Sequence, residues 1–409
     1  MSSTIGMCQF GSKRPNMGSS KPIFTCNYLK LYSWMGFFPC LKNEEAKLFP
    51  MGWKLQLLLY CISTVIPYGV FISYFIFLTT HYDLSFTHFF AMLRASNDES
   101  LNMGTALYWS VISTLYVQHL ILQLRTRKIK DGLCEMQQIL NQRLGTCSRK
   151  FTQRSVIMTV LVVCSSVSFA IGFHINLRSF LDINLPILII GIILSAFTTT
   201  ILSSPIFAFY YIYGEISRGL EEWILSIVHD LKATPKLTNA QFNTCRKLHS
   251  ALLKSSSLLS FNVLVVLLVS LIALIVVVFM SFDFFMSHAD FASAGVILVF
   301  LGYITYVLKF AYIVCIFNHD SEHLYNQVQS LKNALEEIYI EDHEFIFFHG
   351  QLRDARFAKQ LIINQLQDFK GFDGLGYFTL GKPLLTSITA NILTYLIVLI
   401  QFKLSENTV

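Results

Sequence analysis

The chain has 409 residues, of which 54% are hydrophobic and only 14% are charged. A soluble domain is roughly a quarter charged, so this composition excludes a water-soluble enzyme or binding module. The formal net charge of +6 does not indicate a nucleic-acid partner, because membrane proteins keep a surplus of basic residues on their cytoplasmic side.

Seven apolar stretches follow one another along the chain, and each can cross a hydrocarbon core of roughly 30 Å. We expect helices, because a helix satisfies its own backbone hydrogen bonds in lipid. The predicted spans are residues 53–78, 101–124, 156–177, 185–213, 258–282, 291–317 and 383–402. The fold class expected from this pattern is an all-α membrane protein with seven transmembrane helices.

The distribution of basic residues places the N-terminus in the cytoplasm. Lys and Arg are concentrated before the first span and in the loops after the second, fourth and sixth spans. The opposite side of the membrane carries only Arg94, Arg178 and Lys403. Since cytoplasmic loops are enriched in basic residues, seven crossings then put the C-terminus outside. This orientation is the reverse of that of a G-protein-coupled receptor.

Apolar residues at helical spacing continue from the spans into the cytoplasmic loops, which predicts long helices that leave the membrane. Two such runs are Ile216, Leu220, Trp223, Ile227 and Leu231 after the fourth span, and Leu324, Val328, Leu331, Leu335 and Ile338 after the sixth. The second run has the four-and-three spacing of a helix packed on another helix. Further amphipathic helices are predicted within 125–155, from Gln241 into the fifth span, and over 348–369.

The last span carries a polar stripe. Ser387, Asn391, Thr394, Val398 and Gln401 recur at intervals of three or four residues, which is the spacing of one helical face. An amide in hydrocarbon without a partner costs several kcal/mol. The stripe is therefore expected to face protein or water rather than lipid.

The same span carries a family signature. Thr394-Tyr395, five apolar residues and Gln401-Phe402 fit the Thr-Tyr, five-hydrophobic, Gln-Phe pattern of insect gustatory receptors, at the expected place near the C-terminus. Residues 376–388 also resemble the usual entry of that family into its last helix. The chain thus resembles an insect gustatory receptor, a seven-transmembrane ligand-gated ion channel related to the insect odorant receptors.

This resemblance implies a cation channel in the plasma membrane of a sensory neuron, opened by a small-molecule tastant. Four subunits, identical or of different gustatory receptors, would surround one pore. Val398 and Phe402 would form its hydrophobic constriction with Gln401 beside them, and Thr394 and Asn391 would line the conduit below. The implied divisions are a cytoplasmic N-terminal segment (1–52), a ligand-binding bundle with cytoplasmic helical loops (53–317), cytoplasmic anchor helices (318–382), the pore helix (383–402) and an extracellular tail (403–409).

The ligand is expected to bind in the outer halves of the first six spans. Polar and aromatic candidates there are Asp283, His174, Trp109, Asn176, Tyr74 and Ser281. A sugar site needs several amides and carboxylates around aromatic rings, and these outer halves contain few of them. A bitter or plant-derived compound is therefore favoured over the alternative of a sugar.

A different class of protein is suggested by His319, Glu322 and His323, which match the His-x-x-Glu-His pattern of inverted zinc peptidases. The alternative is then a seven-transmembrane zinc hydrolase. The motif lies where the sixth span continues into the cytoplasm, and polar residues are expected there in any case. The favoured interpretation therefore includes no enzyme activity, cofactor or metal. A transporter or a non-conducting receptor is a further alternative.

One basic residue, Lys309, lies inside the sixth predicted span. An ionisable residue within a membrane is often functional. Lys309 is also within a few turns of the cytoplasmic end, where a long side chain can extend to the membrane surface. The favoured expectation is therefore a structural lysine that reaches toward the cytoplasm.

Overall fold

The structure, a computed structural model, describes residues 65–81, 121, 149–180, 184–233, 237–287, 294–340, 344–348 and 351–406. The N-terminal segment, nearly all of the second predicted span and the first part of the 125–155 loop lie outside the described residues. The helices are α1 (Ile66–His81), α2 (Arg149–Phe180), α3 (Leu185–Ala233), α4 (Asn239–Ser287), α5 (Ala294–Glu337), α6 (Ala355–Gln367) and α7 (Lys382–Glu406). Strands β1 (Phe345–Phe348) and β2 (Gln351–Asp354) separate α5 from α6.

The long helices confirm the predicted extensions beyond the membrane. Helix α3 has 49 residues and is therefore about 74 Å long, more than twice the thickness of a hydrocarbon core. Every residue of the predicted apolar run after the fourth span is buried, from Ile216 to Leu231. The extension is thus held by packing rather than by helix propensity alone.

Helix α4 begins with a reciprocal cap. The Thr238 hydroxyl oxygen accepts a hydrogen bond from the Gln241 amide at 3.3 Å, and the Gln241 side-chain oxygen accepts one from the Thr238 amide at 2.9 Å. This capping box satisfies two backbone donors that a helix start leaves without partners. It explains why the helix begins at Asn239, two residues before the predicted start.

Helix α5 is the centre of the described bundle. It packs most extensively against α2 and also lies against α3 and α4. The predicted seam after the sixth span is confirmed, since Leu324, Val328, Leu331 and Leu335 are fully buried. Helix α5 therefore contacts both the membrane helices and the cytoplasmic layer.

The prediction of one helix over 348–369 is wrong in its first part. Strands β1 and β2 form an antiparallel hairpin in which Phe345 pairs with Asp354, and α6 begins only at Ala355. The Asp354 side chain accepts a hydrogen bond from the Arg356 amide at 2.8 Å and so caps the helix. The aromatic run Phe345-Ile-Phe-Phe favours a strand, and the cap ends the hairpin where the helix starts.

Residues 368–381 form a tight loop between α6 and α7. The Leu380 amide donates to the Phe372 carbonyl at 2.8 Å, and the Gly374 amide donates to the Phe378 carbonyl at 2.9 Å. Gly371 has a φ of 101° and a methyl group there would lie 3.0 Å from the Ser321 hydroxyl. Glycine is needed at that position because L side chains rarely adopt this conformation.

Apolar stretches long enough to cross a membrane occur in three helices of the described residues: Leu185–Ser203, Asn239–Val278 and Phe300–Glu337. Shorter apolar stretches, Val156–Ser168 and Lys382–Val398, lie in α2 and α7. The third to seventh predicted spans therefore all fall on helices, and the second half of the first falls on α1. The all-α membrane class is confirmed, with one short hairpin added in the cytoplasmic layer.

Candidate ligand site and pore helix

Two of the predicted ligand residues meet near the outer ends of α1, α2 and α3. The rings of Tyr74 and His174 are stacked, with centroids 6.0 Å apart and planes inclined by 30°. His174 is 1% exposed, and its Nδ1 lies 2.8 Å from the Ala170 carbonyl oxygen. The bond to this carbonyl fixes the orientation of the imidazole ring within α2.

Gly191 of α3 completes this contact. A methyl group in place of its hydrogen would lie 2.5 Å from His174 Nε2 and would also meet the Tyr74 hydroxyl. The absence of a side chain on α3 therefore allows both rings to approach its backbone. We call Tyr74, His174 and Gly191 the outer site. It brings aromatic surface, an imidazole nitrogen and a phenol hydroxyl together between three helices.

The other predicted ligand residues do not join the outer site in the described structure. The Ser281 hydroxyl donates to the Val277 carbonyl of its own helix at 2.6 Å. Asn176 lies on α2 and Asp283 on α4, beyond the residues whose side chains are described. Trp109 falls outside the described residues.

Lys309 does not extend to the cytoplasmic surface as expected. It is 1% exposed, and its ammonium group lies 3.4 Å from the Ser203 hydroxyl oxygen of α3. The same nitrogen lies 4.0 Å from the ring centroid of Tyr306 and 4.5 Å from that of Phe310. The lysine therefore points into the helix bundle, where aromatic faces stabilise its charge.

The cytoplasmic part of α5 binds the loop that leads into α7. The Asn318 side-chain oxygen accepts a hydrogen bond from the Gly381 amide at 2.8 Å. The Ser321 hydroxyl accepts from the Phe372 amide at 3.0 Å and donates to the Leu380 carbonyl at 3.4 Å. Asn318 and Ser321 are both buried. These side chains pair buried backbone groups that the loop would otherwise leave without partners.

An ion pair and an aromatic cluster extend the same junction. Lys382, at the start of α7, lies 2.8 Å from the Glu322 carboxylate of α5. The Tyr213 ring of α3 packs against Phe317 at 4.5 Å and Phe372 at 5.2 Å between centroids. We call the contacts of Asn318, Ser321 and Glu322 with residues 371–382 the clamp. It connects the bundle directly to the first turn of α7.

The contacts of Glu322 and His323 argue against a zinc site at the His-x-x-Glu-His motif. Glu322 pairs with Lys382, whereas His323 Nδ1 lies 3.2 Å from the Glu221 carboxylate of α3. His319 is exposed. Within the residues that the structure describes, no three His, Cys, Asp or Glu side chains are grouped as metal ligands. The zinc-hydrolase alternative is therefore not supported.

Glu221 lies at the cytoplasmic face of this junction. Burial raises the pKa of its carboxyl, and the nearby charges of Asp320 and Glu222 raise it further. The neighbouring His323 acts in the opposite direction. Glu322 and His323 of the motif thus form ion pairs that link α5 to α7 and α3.

Helix α7 carries the predicted pore stripe and packs little against the rest of the chain. Its residues Asn391, Thr394, Val398 and Gln401 are exposed, and the Thr394 hydroxyl donates to the Ala390 carbonyl at 2.9 Å. Phe402 lies within the same helix. Side chains beside the stripe are exposed as well, including Leu393 at 54% and Ile397 at 56%. Only the first part of the helix packs against its own described chain, through the buried Ile388 and the half-buried Leu384, Leu385 and Ile392.

Sequence reasoning missed the clamp residues Asn318 and Ser321. Polar residues at a helix that leaves the membrane usually face water, so nothing in the local pattern marked these two. The detectable signal was the spacing of Asn318 and Ser321, which places both on one face of α5. Their partners Gly381 and Phe372 lie more than fifty residues later and could be identified only from the fold.

Comparisons with known proteins agree with this architecture. The family described as 7tm chemosensory receptor matches residues 26–406. The structure of the insect olfactory receptor OR5 from Machilis hrabei is similar, with a TM-score of 0.55 and 16% identity over 92% of this chain and 100% of that chain. The structure of the same receptor in complex with eugenol gives a TM-score of 0.60 and 14% identity at the same coverage, 92% and 100%.

No curated protein matches the sequence. The solved structures establish the seven-helix fold, and the family match extends over nearly the whole chain. It includes the clamp and the last helix with its Thr-Tyr and Gln-Phe pairs. The chain therefore belongs to the 7tm chemosensory receptor family, the insect chemoreceptors of the gustatory and odorant type.

Proposed function

We propose that the protein is a gustatory receptor subunit that forms a ligand-gated, non-selective cation channel. The observation that carries this proposal is helix α7, which combines a polar stripe with exposure of most of its described side chains. Polar side chains that face lipid without a partner would be costly, so the stripe needs water or protein beside it. Four copies of α7, from identical or different gustatory subunits, would surround one axis and place both water and protein beside the stripe.

The gate would be a ring of apolar side chains. In this arrangement Val398 and Phe402 constrict the outer part of the pore, and a narrow apolar ring stops ions by excluding water. A small rotation of α7 would replace that ring with Gln401. Thr394 and Asn391 would line the wider conduit on the cytoplasmic side.

The outer site is the proposed binding site for a tastant. Its stacked rings of Tyr74 and His174 suit a small, largely apolar molecule with one hydrogen-bonding group. The structurally similar olfactory receptor has been solved in complex with eugenol, which supports a small-molecule ligand here. We propose a bitter or plant-derived compound, detected at the plasma membrane of a sensory neuron.

The clamp would transmit ligand binding to the gate. A ligand opens a channel only by binding the open state more tightly than the closed state. Helix α3 supplies Gly191 to the outer site and Tyr213 to the junction with Phe372, while α5 holds Gly381 and Lys382. A shift of α3 relative to α5 therefore displaces the start of α7.

Gln401→Ala tests the pore. The measurement is whole-cell recording from cells that express this chain and are exposed to a panel of bitter plant compounds, sugars and amino acids. Gln401→Ala should change gating or ion permeation while surface expression is retained. Leu396→Ala, five residues before Gln401 and on the opposite face of the helix, is the matched control and should conduct like the wild type. Currents of Gln401→Ala that equal those of the wild type would remove Gln401 from the pore.

A further inference from the structure

A second polar site lies deeper in the bundle than the outer site. It is formed by Lys309 and Tyr306 of α5, Ser203 and Thr199 of α3, and Ser166 of α2, which we call the inner cluster. Lys309, Ser203 and Ser166 are 1%, 2% and 0% exposed. The Tyr306 hydroxyl lies beside the side chains of Thr199 and Ser166. Three helices thus direct polar groups to one region of the bundle.

The charge in this cluster has no counter-charge. The polar partner of the Lys309 ammonium is the Ser203 hydroxyl at 3.4 Å, and that hydroxyl donates its own proton to the Thr199 carbonyl at 3.0 Å. The rings of Tyr306 and Phe310 also lie against the ammonium group. In the described part of the chain, no carboxylate forms an ion pair with Lys309. Burial of an ammonium without an anion is costly.

Donors also exceed acceptors in the inner cluster. An ammonium group has three N–H donors and no acceptor, and one oxygen at 3.4 Å satisfies little of this capacity. Thr199 and Ser203 donate back to carbonyls of their own helix at 2.8 and 3.0 Å. The buried Ser166 hydroxyl makes no such bond to its own helix and lies beside the Tyr306 hydroxyl. The group that satisfies several donors and one positive charge together is an acceptor-only anion.

We propose that the inner cluster binds the carboxylate of a small organic acid with an apolar tail. The carboxylate would accept hydrogen bonds from Lys309 and Ser166, and the tail would lie against the apolar bundle near Phe310. An inorganic anion lacks the apolar part that compensates for its own desolvation. The acid could be dissolved or could be a free fatty acid of the membrane, since both offer the same chemistry. This inference is independent of whether the protein conducts ions.

The test uses purified full-length protein and octanoate as the probe, with octanol as the neutral analogue of equal chain length. Octanoate should raise the melting temperature of the wild type more than octanol does. In Lys309→Met, which keeps most of the length of the unbranched side chain without its charge, octanoate binding should be about tenfold weaker or more. Lys332→Met, on the same helix but outside the cluster, is the matched control and should bind octanoate like the wild type.

Two further measurements complete the test. Free fatty acids extracted from the purified proteins distinguish a membrane acid from a dissolved acid. Enrichment of fatty acid in the wild type over Lys309→Met would identify a membrane acid. A response to octanoate without such enrichment would identify a dissolved acid. Ser166→Ala removes one hydroxyl and should weaken octanoate binding by a smaller factor, which provides a readout even if Lys309→Met does not fold. Equal octanoate responses and equal fatty-acid contents in the wild type and the variants would overturn the proposal.

Discussion

At the level of single residues, Gly191 determines how closely three helices approach at the outer site. The rings of Tyr74 and His174 occupy the space that a side chain on α3 would need. A protein interior is packed as densely as an organic crystal, so even one added methyl group must displace its neighbours. The shape of the outer site is therefore sensitive to this position.

We expect Gly191→Ala to abolish the response to the ligand or to raise the ligand concentration for half-maximal current by about tenfold or more. The physical reason is overpacking, which costs about 1–3 kcal/mol in the binding-competent state. Whole-cell dose–response curves measure this change. Gly69→Ala in α1 is the matched control, because no atom lies within 4 Å of the added methyl group.

Both substitutions replace a helical glycine with alanine, which raises helix propensity equally. A loss of response confined to Gly191→Ala would therefore report the ring contact rather than the helix backbone. If both variants respond like the wild type, the ligand does not depend on the geometry of the outer site.

The sequence could identify individual residues by type but could not identify their neighbours. Tyr74 and His174 were predicted as ligand residues from their depth in the membrane, and the structure brings them together. Gly191 gave no signal, since its role is the absence of a side chain. Lys309 was expected to reach the cytoplasm because it lies near the end of its span. Its partner Ser203 is 106 residues away, so only the packing of α3 against α5 could reveal the buried orientation.

At the level of elements, the clamp joins the end of one transmembrane helix to the start of another. Asn318 and Ser321 lie on one face of α5, so residues 371–381 are held along that face. Both side chains pair with backbone groups, which makes their contacts depend on the path of the loop rather than on its side chains. The loop and the first turn of α7 are thereby fixed to the bundle.

We expect Asn318→Ala to loosen this connection. The Gly381 amide is buried with Asn318 as its partner, and loss of that partner costs about 1–3 kcal/mol. The melting temperature of the purified protein should fall, and the ratio of basal to ligand-evoked current should change. Thermal unfolding followed by size-exclusion chromatography and whole-cell recording measure the two effects.

Asn326→Ala on the exposed side of the same helix is the control for that experiment. It removes the same amide and leaves no buried donor without a partner. An unchanged melting temperature and unchanged basal current in Asn318→Ala would show that the loop is held by other contacts.

Elements with a sustained helical period were predictable, and the short hairpin was not. Helices α3, α4 and α5 repeat apolar residues over many turns, and each turn adds to the same signal. Strands β1 and β2 have only four residues each, too few to outweigh the helical pattern that follows them in α6. The boundary between the hairpin and α6 is set by the Asp354 cap. A side chain of this type caps a helix only at the residue just before the helix begins.

At the level of the whole molecule, orientation in the membrane is the feature that the sequence specifies most directly. The cytoplasmic ends of α3 and α5 carry the buried seam and the clamp, and the loops on that same side of the membrane are the ones rich in Lys and Arg. A reversal of the chain would place all of these outside the cell. The charge distribution and the folded cytoplasmic layer therefore agree.

We expect an epitope tag at the N-terminus to be stained only after cells are permeabilised, and a tag at the C-terminus to be stained on intact cells. An odd number of crossings is the physical reason for this difference. The internal control has no tag at either terminus and carries the epitope at Lys236, between α3 and α4. It should be stained like the N-terminal tag, only after permeabilisation. Staining of both termini on the same side would contradict the seven-span topology.

The arrangement of subunits is the part of the whole molecule that sequence and a single chain specify least. Contacts within the bundle bury the seam residues of α5 almost completely, whereas among the described side chains of α7 Ile388 is buried and Leu384, Leu385 and Ile392 are half-buried. A polar stripe predicts that something other than lipid lies beside the helix, but it does not specify what. That information is in the shape of the complete assembly rather than in the order of the residues.

The exposure of α7 has an evolutionary consequence. Substitutions at exposed positions usually change stability by less than about 0.5 kcal/mol, so mutations in this helix cost the individual subunit little. Mutations in the clamp or the α5 seam affect buried groups and are more strongly constrained. Descendants of this gene can therefore diversify the exposed positions of the last helix outside its Thr-Tyr and Gln-Phe pairs while the bundle keeps its fold. Inherited variation in this protein should accumulate at positions such as Leu393 and Ile397 before it reaches Asn318.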